Sequence, residues 1–269
     1  MERSSLLCPA PGGSGLADTT YTSFSPAGKS GAEAGAAELK PVVALPADED
    51  EESAPEKQTK KEKAAEPKKK AAAEKPVLTV KEPGKPVSAD TSAADAPRSS
   101  VRPPAGWHPA GQRSRPPRAS GRLPGLLGVS CTAPDTEHWF PGASTAASHQ
   151  DYVHLTNPDD TAAVADIELY GPDGAIESDV GEGITVPARS SVPMLISTLT
   201  SKAVDNLTVH VTTRTGRVGA VVRAADDKAG SDWLASSTDP AGTLVLPGIP
   251  ADATSVQLVA FAPGRTTPM

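Results

Sequence analysis

From Leu126 onward, apolar and polar positions alternate in short runs separated by turn residues. Tyr152-Val153-His154-Leu155-Thr156 and Ala165-Asp166-Ile167-Glu168-Leu169-Tyr170 are the clearest examples. Alternation with a period of two is the signature of a strand with one buried face. It predicts strands near residues 137–140, 151–156, 164–170, 183–186, 191–196, 206–213, 217–224, 243–246 and 255–261. The connections have turn chemistry. In Asn157-Pro158-Asp159-Asp160 the Asx side chains cap the backbone, and in Gly171-Pro172-Asp173-Gly174 glycine accepts positive φ. Arg214-Thr215-Gly216-Arg217 reads as a tight hairpin between the two longest strands. One helical turn is expected at 198–204, capped by Ser197 or Thr198. Short strands at this spacing indicate an all-β fold, an antiparallel β-sandwich over 126–264.

The preceding residues lack this periodicity. Residues 1–27 are rich in Ser, Gly and Pro, with one strand-like patch at Thr20–Phe24. An acidic cluster at Asp48–Glu52 leads into a Lys/Ala/Glu block, Lys57–Lys75, which has no apolar stripe and contains Pro67. Val77-Leu78-Thr79-Val80 fits at most an edge strand, because prolines flank it. Residues 98–125 switch from lysine to six arginines crowded by prolines, which resembles an out-of-frame translation of GC-rich DNA. The expectation is a long disordered linker over 28–125, between an N-terminal segment (1–27) and the sandwich, with a short tail at 265–269.

Composition supports a modest folded mass. The chain of 269 residues has 28 Pro and 23 Gly but only three each of Trp, Tyr and Phe, so its core must rely on aliphatic side chains. Charge is uneven. Up to Gly125 there are 19 basic and 16 acidic residues; from Leu126 there are 7 and 17, a net of −10. An acidic module repels phosphate backbones, which argues against nucleic acid as a partner.

Candidate chemistry is sparse. No Gly-x-Ser-x-Gly elbow, Walker loop or dinucleotide fingerprint occurs, so no catalytic residue and no cofactor site is assigned. His154 and His210 sit in alternating strands; on neighbouring strands they could approach each other and, with Asp151 or Asp166, bind a metal or exchange protons. The reading weighed against this is two ordinary strand histidines. Acid pairs Asp159/Asp160, Asp166/Glu168 and Asp226/Asp227 suit calcium in kind but lack EF-hand spacing, which favours solvated charges and no metal. In His138-Trp139-Phe140-Pro141-Gly142 adjacent aromatics face opposite sides, one toward the core. Trp139 and Tyr170 are the candidate ligand surface, for stacking on a sugar, and Trp233 is expected to be packed. Cys8 and Cys131 lie in similar Cys-x-Ala-Pro or Cys-Pro-Ala-Pro frames, as two unrelated thiols or as one bridge.

Several strings together resemble an actinobacterial family of exported proteins that carries only a domain of unknown function, DUF5719. They are Glu2-Arg3-Ser4-Ser5-Leu6-Leu7-Cys8-Pro9, Cys131-Thr132-Ala133-Pro134-Asp135-Thr136-Glu137-His138-Trp139-Phe140, Asp151-Tyr152-Val153-His154-Leu155-Thr156-Asn157-Pro158-Asp159, Asp179-Val180-Gly181-Glu182-Gly183 and Leu246-Pro247-Gly248-Ile249-Pro250. The resemblance brings no activity with it. It implies an extracytoplasmic setting, a Cys8–Cys131 disulfide, and an envelope protein or a glycan as partner. Relatives usually place a membrane or signal segment before the Glu-Arg-Ser string and continue past Gly264. No such segment is visible here, so the expectation is a truncated, frameshifted member whose terminal strand at 255–261 lacks a partner and promotes self-association. The expected role is a non-enzymatic interaction or scaffold module. The alternatives are a carbohydrate-binding module using Trp139 or Tyr170 and a metal-dependent hydrolase using His154 and His210.

Overall fold

The structure is a computed structural model that describes residues 4–9, 18–24, 37–44, 76–82, 84–92, 98–102, 111–115, 127–178, 180–228, 230–246, 248–256 and 258–264. It is all-β. Eight described strands precede the expected sandwich and a ninth lies at its start: β1 (Ser4–Cys8), β2 (Asp18–Ser23), β3 (Ala37–Pro41), β4 (Val43–Ala44), β5 (Leu78–Val80), β6 (Val87–Ser92), β7 (Arg98–Arg102), β8 (Gly111–Arg115) and β9 (Leu127–Ser130). All but β4 build two antiparallel sheets, ordered β1-β7-β3-β5 and β6-β2-β8-β9.

Six of them, β3 to β8, lie within 28–125, where the sequence predicts a disordered linker. β2 falls on the strand-like patch read at Thr20–Phe24: Thr19, Tyr21 and Ser23 are buried while Thr22 is exposed. The pairing partners lie far along the chain, as with Tyr21 opposite Ala89 and Gln112. A fully buried Tyr21 supplies the bulk that such short strands need, packed among Leu39, Leu78, Val80 and the two cysteines. The expected edge strand is β5, which pairs only with β3. The Lys57–Lys75 block and residues 265–269 lie outside the described residues.

The remaining strands are β10 (Glu137–Ala143), β11 (Tyr152–Asn157), β12 (Ala163–Gly171), β13 (Gly174–Ile176), β14 (Ile184–Val186), β15 (Ser190–Leu195), β16 (Leu207–Thr215), β17 (Gly219–Asp226) and β18 (Gly230–Leu234). One sheet has the order β10-β16-β12-β13, with β14 also on β12. The other runs β18-β17-β11-β15-β4. All pairs are antiparallel except β15 with β4. Between the sheets, Phe140, Ile167, Leu169, Val209 and Val211 of the first meet Val153, Leu155, Ala220 and Val222 of the second. Alternation therefore places Trp139, Glu168, Tyr170 and His210 on the outer face of the first sheet. Tyr152 and His154 lie on the outer face of the second.

Turn chemistry acts as read at Asn157, whose Oδ1 accepts from Asp159 N at 3.0 Å while its amide donates to the carbonyls of Thr161 and Val186. Gly171 and Gly174 close the β12–β13 hairpin. Three expectations are corrected. Residues 214–217 do not join a hairpin, because β16 and β17 belong to opposite sheets. Gly216, at φ 73°, carries the chain across, and a side chain there would collide with Ala163. The helical turn is a short 3-10 segment at Ile196–Thr198, earlier than expected, with the Ile196 side chain buried. Residues 243–246 and, among the described residues of 255–261, 255–256 and 258–261 are not strands.

Cys8 and Cys131 are joined by a disulfide, with Cα atoms 4.4 Å apart. Around it Leu7 and Thr132 exchange backbone hydrogen bonds of 2.7 and 3.0 Å. Gly219 fits there because Leu7 lies where its Cβ would stand, at 2.5 Å. Among the described residues no helix is long and apolar enough to cross a membrane.

Candidate functional site

The outer face of the first sheet carries the densest side-chain network. Register sets its rows. Trp139 of β10 stands opposite His210 of β16, which stands opposite Glu168 of β12. The next row places Pro141, Thr208 and Tyr170 side by side, and the previous one Glu137, Thr212 and Asp166. The indole of Trp139 stacks on the His210 imidazole, with centroids 3.6 Å apart and planes at 8°. Each imidazole nitrogen faces a carboxylate: Nδ1 is 2.9 Å from Glu168 Oε2, and Nε2 is 3.1 Å from Glu137 Oε1. Trp139 Nε1 donates to Glu137 at 3.0 Å, and the Tyr170 hydroxyl donates to Glu168 at 2.9 Å. The hydrogen bond with His210 holds the Glu168 carboxyl below its ordinary range. Burial first, then the bond to Glu168, pushes the Tyr170 phenol up to about 12.

This network is covered by the chain itself. The Phe261 ring lies 5.4 Å from the Trp139 ring and 4.9 Å from that of Tyr170. Trp139 is 8% exposed, too little for an open stacking platform. The structure thus brings the two proposed ligand-surface residues together, with ring centroids 6.2 Å apart, and covers them. Trp233 is packed, against Val221 and Leu127.

The two histidines singled out in the sequence are not brought together. His154 lies on the outer face of the opposite sheet, between Pro193 and Val221 in register. It meets Trp233 edge-on at 5.4 Å. Its Nε2 is buried without a hydrogen bond, and burial lowers its pKa to about 3, aided by the Arg223 charge. His154 and His210 thus stand on the outer faces of opposite sheets, and the sandwich separates them.

Of the acid pairs, Asp159, Asp160, Asp166, Glu168 and Asp226 serve as ion-pair partners. Asp159 meets Arg217 at 3.0 Å, Asp160 meets Arg189, and Asp166 meets Arg214 at 2.6 Å. Asp166 also accepts from Gly183 N at 2.7 Å. Among the described residues no three His, Cys, Asp or Glu side chains form a metal-holding group. Ser148, His149 and Asp226 have the composition of a hydrolytic triad but not its geometry. Ser148 donates to Asp226 at 3.0 Å, and His149 Nε2 is 3.2 Å from that same carboxylate oxygen, so the histidine is not placed as the serine's base. Buried Asp151 instead accepts from the backbone of Ser144 and Ala225, tying the β10–β11 loop to β17.

Sequence reasoning missed Glu137, Glu168 and Phe261 as parts of one site. The signal for the two acids was present: Glu137 and Trp139 are two apart on one strand, as are Glu168 and Tyr170, so each acid shares a face with its aromatic. Nothing local indicated that these strands flank the one carrying His210, or that Phe261 returns to cover them.

The sequence model described as "Family of unknown function (DUF5719)" matches residues 87–268. That is more than half of the chain, and the chain belongs to this family. No curated protein and no solved structure matches it.

Proposed function

We propose that this DUF5719-family chain is a non-enzymatic interaction module that works outside the membrane, in the cell envelope. The observation that carries the reading is an exposed apolar segment on an acidic, disulfide-stapled sandwich. Leu244, Val245, Leu246, Ile249, Val256 and Leu258 are exposed within one stretch, where an isolated surface leucine would need no explanation. The buried Cys8–Cys131 bridge supports an oxidising compartment. The network around His210 acts here as a structural lock: its polar atoms are engaged with one another and its aromatic face is covered.

The test is fractionation of cells producing the full chain, with external protease applied to intact cells. The expected result is protease access from outside and retention in the envelope fraction after a high-salt wash, since apolar contacts resist screening. A Leu244→Ser/Leu246→Ser variant should be released. A soluble cytosolic protein, or retention unchanged in the variant, contradicts the reading. A second reading, glycan binding, draws on the pairing of aromatics with carboxylates at Trp139, Tyr170, Glu137 and Glu168. It requires Phe261 to lift away. Glycan-array binding that rises in Phe261→Ala and disappears in Phe261→Ala/Trp139→Ala would favour it.

A further inference from the structure

Residues 236–264 form a strap fixed to the sandwich near both ends. At the start, Ser237 N donates to Trp139 O at 2.8 Å and Trp139 N donates to Ser236 Oγ at 3.3 Å. The strap thus departs along the edge of β10 that faces away from β16. At the far end Phe261 lies against Trp139 and Tyr170. Between the anchors the apolar side chains face solvent: Val245 is 84% exposed and Leu258 69%. Among the described residues the only backbone–backbone hydrogen bond within that span is the turn from Ala253 N to Pro250 O.

This span is strand-like in sequence, in Thr243-Leu244-Val245-Leu246 and Ser255-Val256-Gln257-Leu258, yet its described residues belong to no ladder. Apolar, β-prone backbone with open donors and acceptors is a template for pairing with another chain. Charge points to which chain. From Leu126 onward acids outnumber bases 17 to 7, so two copies of this module repel each other over most of their surface. The strap carries only Asp239 and Asp252 as charges in residues 236–264. Two straps can therefore approach at little electrostatic cost. Its size also fits, since a standard interface draws roughly 20–30 residues from each side.

We propose that the strap is a self-association surface, occupied by the strap of a second copy, with Thr243–Leu246 pairing across a two-fold axis. Such a contact is isologous: one self-complementary patch serves both partners. The proposal rests on the reading of the chain as an interaction module and names the partner.

Sedimentation equilibrium of the full chain across a concentration series tests it. The expected result is a monomer–dimer equilibrium. Leu246→Asp should weaken it by roughly tenfold or more, because it places an unpaired charge inside an apolar contact between two already acidic modules. Circular dichroism confirms that the variant remains folded. Should it not fold, hydrogen exchange of the wild type decides instead: protection at 243–246 must rise with concentration. A wild type that stays monomeric at every concentration, or a folded variant that dimerises as before, overturns the proposal. If the monomeric protein still loses envelope retention in Leu244→Ser/Leu246→Ser, self-association fails while the module reading stands.

Discussion

The sandwich and the strap are built from similar residues and reach opposite outcomes. In β16, Val209 and Val211 are completely buried, each with a ladder on both sides. In the strap, Leu244 and Leu246 are 56% and 65% exposed with no ladder at all. Both regions carry β-prone apolar residues, so composition alone does not decide burial. The difference lies in the neighbours. β16 is flanked by β10 and β12 and backed by a second sheet. The strap is interrupted by Pro240, Pro247 and Pro250, which remove backbone donors and limit any ladder to short edge pieces. It is held by a backbone contact and one aromatic ring, and what lies between remains available.

The largest test of this contrast is truncation in each region. Phe140 is fully buried in the core, and Phe140→Ala should cost about 3–5 kcal/mol in urea unfolding. Leu246→Ala, measured in dilute protein, should stay within about 0.5 kcal/mol. Equal losses would place the strap inside the cooperative core. Next comes the staple. Replacing Cys8 and Cys131 by serine should lower stability by roughly 2–5 kcal/mol, seen as a lower urea midpoint. Strap mobility should be unaffected, because the bridge joins β1 to the residue after β9.

A pH series sharpens the contrast between the two outer faces. His154 has a folded pKa near 3 against an ordinary value of 6.5. Between these values the unfolded chain binds the proton and the folded one does not. Its contribution is therefore undiminished above 6.5 and stability declines as pH falls toward 3. His154→Leu should flatten that decline in pH-dependent unfolding, whereas a slope unchanged in the variant would assign it elsewhere. Glu168 acts in the same direction at lower pH: its depressed pKa gives stability that is present above the ordinary carboxylate value and lost as pH falls through the folded one. The smallest effect is expected at the strap's aromatic anchor. Phe261→Ala should cost about 1 kcal/mol, the value of a partly buried ring. Its clearer readout is greater acrylamide quenching of the Trp139 fluorescence, which Phe261 shields.

Much of the sandwich was legible because its strands lie within one face's reach of a shared core, and Asn157 and Gly171–Gly174 announce their turns. Sheet membership was not. Thr215–Gly216–Arg217 looks like a hairpin turn whether the next strand pairs with β16 or crosses to the opposite sheet, and only burial of Ala220 and Val222 from the other side decides it. The same ambiguity hid the site. His154 and His210 have equivalent local patterns, but one faces Trp233 and the other two carboxylates, because they stand on opposite layers. The N-terminal sheets were illegible because their pairings join residues as distant as Leu6 and Ser100, and no local run reports such a partner.

Hydrogen exchange followed by mass spectrometry, on dilute and on concentrated full-length protein, tests the central claim most directly. The account predicts strong protection of β12 and β16 at both concentrations. Residues 243–246 should exchange rapidly when dilute and become protected when concentrated. Protection of 243–246 matching that of β16 at both concentrations, or none at either, would contradict it.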